Sequence, residues 1–333
     1  MPLLDMMSEL RGSVPKLPIS FTRTLVNRAY KSIRLANLWS FNLFESSWIT
    51  PPLVNTGTVT CTQGLAAIQF DANAVAALNA AQLLAPYSLI TQRQFRVSVG
   101  GIYSIIQYNP TTGQATLDRI FGDPGGTGIA YTVYQLYYPA PFLDFRTFIS
   151  VRNPQMFIDL DLTTTRAEVD AMDPQRSWYQ FPTRVVPWGI DTRGAGTQFA
   201  SATLGYPLFE LWGQPIQLFT YQCYGVRNGV DLSLPTDTLP IPIREETVIA
   251  RAKDYAYEWA EANRDMSPRS TGPDFKFLRG ATMAEYKELL KTDRMVDKDF
   301  VDNWITARAP GLAGRGVGFY NTLAGFAGPY AQL

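Results

Sequence analysis

The segment from Leu234 to Arg264, LPTDTLPIPIREETVIARAKDYAYEWAEANR, constrains the fold of this chain more than any other. Pro235, Pro240 and Pro242 cannot donate a ladder hydrogen bond and hold the backbone extended. Behind them Ile249, Ala252, Ala256, Trp259 and Ala260 recur at helical spacing, with Arg251, Asp254, Glu258 and Glu261 on the other side. Glu245 and Glu246 in the first turn, and Arg264 in the last, carry the signs that a helix dipole favours. An inner face of mostly small residues admits a close neighbour. The five inner residues are therefore expected to serve helix packing or a subunit interface, and nothing in the segment is a reactive constellation.

What is missing from the composition narrows the chemistry. The 333 residues contain no histidine, which excludes Ser-His-Asp and Cys-His nucleophilic sites and His-bearing zinc sites. Carboxylate pairs, Lys and Tyr remain as catalytic possibilities. Cys61 and Cys223 are far apart, form no CxxC motif, and read as two buried thiols in a reducing compartment rather than a disulfide. Lys plus Arg (29) equals Asp plus Glu (29), so no net charge draws the protein to nucleic acid or an anionic membrane. There is no apolar run of about 18 residues, and the first residues (MPLLDMMSEL) carry acids where a signal peptide carries Lys or Arg. A soluble, non-exported protein is expected.

The apolar period changes along the chain. Near the start Pro18 suits a first helical position, and Leu25, Val26, Ala29, Ile33 and Ala36 form a stripe. Arg23, Asn27, Arg28, Lys31 and Arg34 fill the rest, either as a solvated face or as a surface for an acidic partner or DNA. Trp39, Phe41, Phe44 and Trp48 are expected to pack the junction to a β region, and Pro51 with Pro52 stops any helix. From Gly57 to Tyr138 the period becomes two, with strands expected around Val59, at 95–99, 102–108 and 115–120, and in YTVYQLYY. Asp71 caps an Ala-rich helix running to about Leu84. The pattern predicts a five-stranded barrel or sandwich inserted between helical segments.

After PAPFLDFRTFISVRNP come a capped acidic helix at about 165–172 and strands at 183–188, 208–212 and 216–226. Beyond the Leu234–Arg264 segment a polar break precedes a helix at about 283–290 and a short one centred on Val301. Residues 307–333 are Gly- and Ala-rich with spaced aromatics, and no fixed-period repeat is visible. Fold class α+β follows: a helical bundle with an inserted small β-barrel or sandwich, further strands, and an extended C-terminal arm. The expected divisions are 1–55 with 139–306, 56–138, and 307–333.

The acidic and Gly-rich motifs have structural readings. Gly122, Gly125, Gly126 and Gly128 are not followed by GK[ST] or a helix, so a hairpin loop is expected rather than a phosphate cradle. Asp159 and Asp161 stand two apart beside a helix start, where turn and capping roles compete with a Mg²⁺ or Ca²⁺ site. Asp144, Asp231 and Asp237 flank turns. No cofactor or metal is expected. The terminal segment reads either as a disordered terminus or as an arm that orders against a partner, with Arg308, Arg315, Phe319, Tyr320, Phe326 and Tyr330 as its candidate contacts.

In this order the features resemble the neck adaptor, or head-to-tail connector, proteins of tailed bacteriophages, in the broad group of tail tubular protein A. The resemblance is carried by VNRAYKSIRLANLWSF, WITPPLVNTGTVTCTQG, GIYSIIQYN with ATLDRIFGD and YTVYQLYYPAPFLDF, and LSLPTDTLPIPIREETVIARAKDYAYEWAEAN, across residues 19–265. It implies a non-enzymatic virion protein: a ring, usually of twelve copies, that joins the portal vertex to the tail and continues the DNA channel. Its partners would be other copies of itself, the portal protein, downstream tail, nozzle or tail-terminator proteins, and passing viral DNA without sequence readout. The location implied is the virion neck, with host cytoplasm before assembly, and the C-terminal arm would dock on the portal. The alternatives are another tail, baseplate or receptor-binding virion protein, and a carboxylate-pair polysaccharide hydrolase.

Overall fold

The computed structural model describes residues 2–84, 89–97, 100–192, 203–263 and 275–308. Its helices are α1 (Leu3–Ser13), α2 (Ile19–Ala36), α3 (Ala72–Leu84), α4 (Arg166–Met172), α5 (Glu245–Ala262) and α6 (Phe275–Arg308). Packing divides the chain into two compact units. One takes the described residues up to Phe44 and from Val226 onward, and the other is Glu45–Gly225. The fold is mixed α+β, as expected.

In the first unit α1, α2, α5 and α6 share one apolar core. Met6 and Leu10, Leu25, Val26, Ala29 and Ile33, and Val248, Ala252 and Ala256 meet in it. Pro18 lies one residue outside α2, at the cap rather than the first helical turn. α5 runs antiparallel to α6: Arg244, just before α5, reaches Asp293, while Arg279 reaches Asp254 and Glu261. Asp254, expected on the outer side of α5, is instead buried against α6 and paired with Arg251 and Arg279.

α6 corrects the expectation of two short helices. It is one helix of 34 residues, about 50 Å long. The stretch between the two expected helices contains Asp293 and Asp297, both buried and both satisfied from elsewhere. Asp293 accepts from Arg244 Nε and from Thr247 Oγ1, each at 2.6 Å, and Asp297 accepts from the backbone N–H (2.7 Å) and hydroxyl of Ser40. With no proline in the run, nothing breaks the backbone ladder.

In the second unit β1 (Leu43–Thr50) precedes a seven-stranded antiparallel sheet. Its strands are β2 (Val59–Cys61), β3 (Ala67–Phe70), β4 (Gln94–Val97), β5 (Tyr103–Tyr108), β6 (Gln114–Leu117), β7 (Gly126–Ile129) and β8 (Tyr131–Tyr134). The order is β7-β2-β3-β6-β5-β4-β8. The two outermost strands are consecutive in the chain with only Ala130 between them, so the sheet curls into a nearly closed barrel. Five strands were expected. β3 and β7 are the additions, and β7 is made from the second half of the Gly-rich loop.

The barrel interior holds Phe70, Phe95, Phe121 and Tyr131, with Phe70 and Tyr131 ring centroids 5.0 Å apart. α3 adds Ala74, Leu78 and Ala81 to that core. Its cap is the predicted one: Ala74 N–H donates to Asp71 Oδ1 at 2.7 Å, and Thr58 N–H and Oγ1–H donate to Oδ2. Gly57 (φ +84°) closes this corner, because a Cβ there would lie 2.5 Å from both Ala74 N and Asp71 Oδ1.

Smaller sheets complete the unit. β9 (Tyr137–Pro139), β10 (Phe145–Asn153), β11 (Ile158–Asp159), β12 (Tyr179–Gln180), β13 (Arg184–Ile190), β14 (Pro207–Trp212), β15 (Gln214–Pro215) and β16 (Phe219–Arg227) build them in the orders β1-β16-β10-β11, β13-β14-β9 and β12-β15. Trp48, Phe145, Phe148 and Phe209 form a ring cluster, with Trp48 edge-on to Phe148 at 4.9 Å. The four junction aromatics of the sequence reading thus divide: Trp39 stacks on Phe41 in the helical core, and Trp48 belongs to this cluster.

Candidate interaction surfaces

The inner face of α5 is used within the chain. Ala252 and Ala256 are fully buried, Ile249 is buried, and Trp259 and Ala260 are half-buried against the same core, Trp259 lying 5.9 Å from the Phe21 ring of α2. These residues pack helices, and the chain's own elements cover Ile249, Ala252 and Ala256. Of the arm residues, Arg315, Phe319, Tyr320, Phe326 and Tyr330 lie outside the described residues, as does the side chain of Arg308.

The polar side of α2 is solvated in part, with Arg23, Arg28 and Lys31 exposed, but the chain's own return covers the rest. Arg34 is buried, donating to Val230 O at 2.8 Å and to Asp231 Oδ1 at 2.6 Å. Asn27 exchanges two hydrogen bonds with the backbone of Leu232, Arg23 donates to Ser233 O, and Arg28 stacks on Tyr255. The returning segment therefore docks along this face, and Asp237 organises it by accepting from Ser233 and Leu234 N–H. Those bonds hold the Asp237 carboxyl below the usual range.

The other acids are structural as well. Asp159 pairs with Arg152 across β10 and β11, and Asp161 accepts from the Thr163 and Thr164 hydroxyls. Thr165 and Glu168 form a capping box at α4. Arg176 sits with φ +50° and is buried with Glu210, whose carboxylate it meets through Nε while Nη2 reaches Asp170. Burial pushes the Glu210 carboxyl up, and the Arg176 guanidinium pulls it part of the way back. Both cysteines are free and buried, and burial raises the Cys61 thiol to about 11. Among the described residues no three His, Cys, Asp or Glu side chains gather as a metal site requires, and no helix is long and apolar enough to cross a membrane.

Two surface features were not foreseen from the sequence. The first is the β10–β11 hairpin. Asn153 Oδ1 accepts from Gln155 and Met156 N–H, the Arg152–Asp159 pair flanks the strands, and Phe157 stands at the tip, 92% exposed with φ +54°. The second is the part of α6 beyond Asp293, which outruns α5. One flank displays Val296 and Phe300, both exposed, and the other lines a groove of about 310 Å³ with Asn37 and Leu38. No sequence signal marks either feature, since each depends on how distant elements end.

No family model, curated protein or solved structure matches this chain.

Proposed function

We propose that the chain is a structural protein of a tailed-phage virion, a neck adaptor that assembles as a homo-oligomeric ring between the portal vertex and the tail. The motif order across residues 19–265 supports this reading, and a helical bundle with an inserted barrel is the architecture that the resemblance calls for. In such a ring each subunit needs two different complementary patches, because the interface is head-to-tail.

The observation that carries the proposal is Phe157. A bulky side chain in the left-handed region costs about 1–3 kcal/mol. An isolated monomer recovers none of that from a ring left 92% exposed to water. The hairpin beneath it is fixed by the Asn153 turn bonds and the Arg152–Asp159 pair, so the aromatic is presented rigidly. Rigid aromatic anchors are what dominate protein interfaces.

The test is negative-stain imaging and light scattering of the purified protein, alone and with the portal protein of the same virus. Rings are expected. Phe157→Gly is expected to relieve the backbone, stabilising the monomer by up to about 1 kcal/mol, while reducing the ring fraction. A protein that stays monomeric with and without portal overturns the ring, and rings indifferent to Phe157→Gly remove the role of the hairpin.

A further inference from the structure

The groove beside the distal half of α6 has the chemistry of a peptide site. Lys291, Arg294 and Lys298 fall at i, i+3 and i+7, on one flank of the helix, and all three are exposed. Among the described residues none of them makes an ion pair, and two buried acids of the same stretch are satisfied from elsewhere: Asp293 by Arg244 and Thr247, and Asp297, which also lines the groove, by Ser40. Three cations against the one carboxylate of Asp297, itself bonded to Ser40, leave the groove lining net positive.

Between them the lining is aliphatic, from Leu38, Met295 and Val301, with Met295 67% exposed. Asn37 also lines the groove, and its side-chain amide nitrogen is buried without an acceptor. The cations span seven residues of helix, about 10 Å, which matches three residues of extended chain.

We propose that this groove binds a short acidic segment of a partner protein, in which carboxylates flank an aliphatic or aromatic anchor. The carboxylates would meet Lys291, Arg294 and Lys298, and the anchor would cover Leu38, Met295 and Val301. A groove of about 310 Å³ admits a few side chains, not a helix. Two other occupants fit less well. The chain's own residues 309–333 contain Arg315 and no Asp or Glu, so they do not complement the charge. A phosphodiester backbone has nothing apolar to set on the aliphatic lining. The inference does not depend on ring assembly.

The experiment is fluorescence anisotropy at low ionic strength with the full chain and a fluorescein-labelled, end-capped peptide Glu-Asp-Leu-Glu-Asp. The comparison probes are Lys-Lys-Leu-Lys-Lys and single-stranded oligo-dT. Binding of the acidic peptide is expected, weakened roughly tenfold in the double variant Lys291→Glu/Lys298→Glu and a few-fold in Met295→Gln. All three positions are exposed, so circular dichroism should show unchanged helix content. Three results would each overturn the proposal. They are no binding of the acidic peptide, binding that the charge reversals leave intact, and oligo-dT binding tighter than the peptide at the same groove. Loss on charge reversal with no effect of Met295→Gln would also overturn it, because the anchor would then have no role.

Discussion

Removal of the Asp293 carboxylate isolates the interaction that lets α6 run unbroken past the start of α5. Asp293 is 1% exposed and holds two partners of different kinds. The Arg244 side chain is 43% exposed, so on losing its acid it returns to water, and that half of the interaction contributes about 0–1 kcal/mol. Thr247 is fully buried, and its hydroxyl, 2.6 Å from Asp293, would be left unpaired at a cost of about 1–3 kcal/mol. Asp293→Ala should therefore destabilise the helical unit by about 1–4 kcal/mol. Replacing both buried partners should not compound the loss: in Asp293→Ala/Thr247→Val the orphaned hydroxyl is gone, and about 1–2 kcal/mol should be recovered. Urea titration followed by far-UV circular dichroism measures both variants, with an unchanged slope confirming that the same transition is compared. A single variant within about 0.5 kcal/mol of wild type would refute the reasoning, and so would a double variant at least as unstable as the single one.

Three further outcomes follow from the second unit. Gly57→Ala should destabilise it by at least about 1–3 kcal/mol in urea titration, since φ is +84° and the new methyl would meet Ala74 N and Asp71 Oδ1 at 2.5 Å. Arg176→Met should cost about 3–5 kcal/mol in the same measurement, because it strands the fully buried Glu210 carboxylate without its counter-ion. The carboxyls of Asp71, Glu168 and Asp170 are held below their ordinary values: Asp71 by the Ala74 N–H and the Thr58 hydroxyl, Glu168 by Thr165, and Asp170 by Arg176. A depressed carboxyl contributes stability that is in place at neutral pH and is lost as pH falls below about 4. Urea midpoints measured down to about pH 3 should therefore drop, and the drop should be shallower in Asp71→Asn.

What the sequence made legible was what its neighbours decide. Asp71 before an alanine run, Thr165 three residues before Glu168, and the small inner face of α5 each appear in the structure where local spacing puts them. β10 did not announce itself because its pattern is not alternating: Phe148, Ile149, Ser150 and Val151 are all buried, as in a strand covered on both faces. β7 was read as loop because Gly126 and Gly128 lack the side chains that signal a strand, and its pairing is supplied by β2. On α2 the departure is confined to Arg34 and has a different source. Arg34 looks like a solvated cation until the Val230 carbonyl and the Asp231 carboxylate, nearly 200 positions away, arrive to satisfy it.

The same long-range logic explains why both candidate surfaces escaped the sequence, and it joins one of them to the stability argument. Asp293 and Asp297 fall between the two helices expected from the sequence, yet once Arg244, Thr247 and Ser40 satisfy them they point the opposite flanks of α6 outward. Lys291, Arg294 and Lys298 keep their spacing only while the helix persists through that stretch. Asp293→Ala touches no groove cation, yet by fraying α6 at this point it should weaken the acidic peptide as well as the fold. Peptide affinity that survives a measured loss of stability and of helix content would mean that the cations recognise the ligand independently of α6, and the geometric basis of the groove would fail with it.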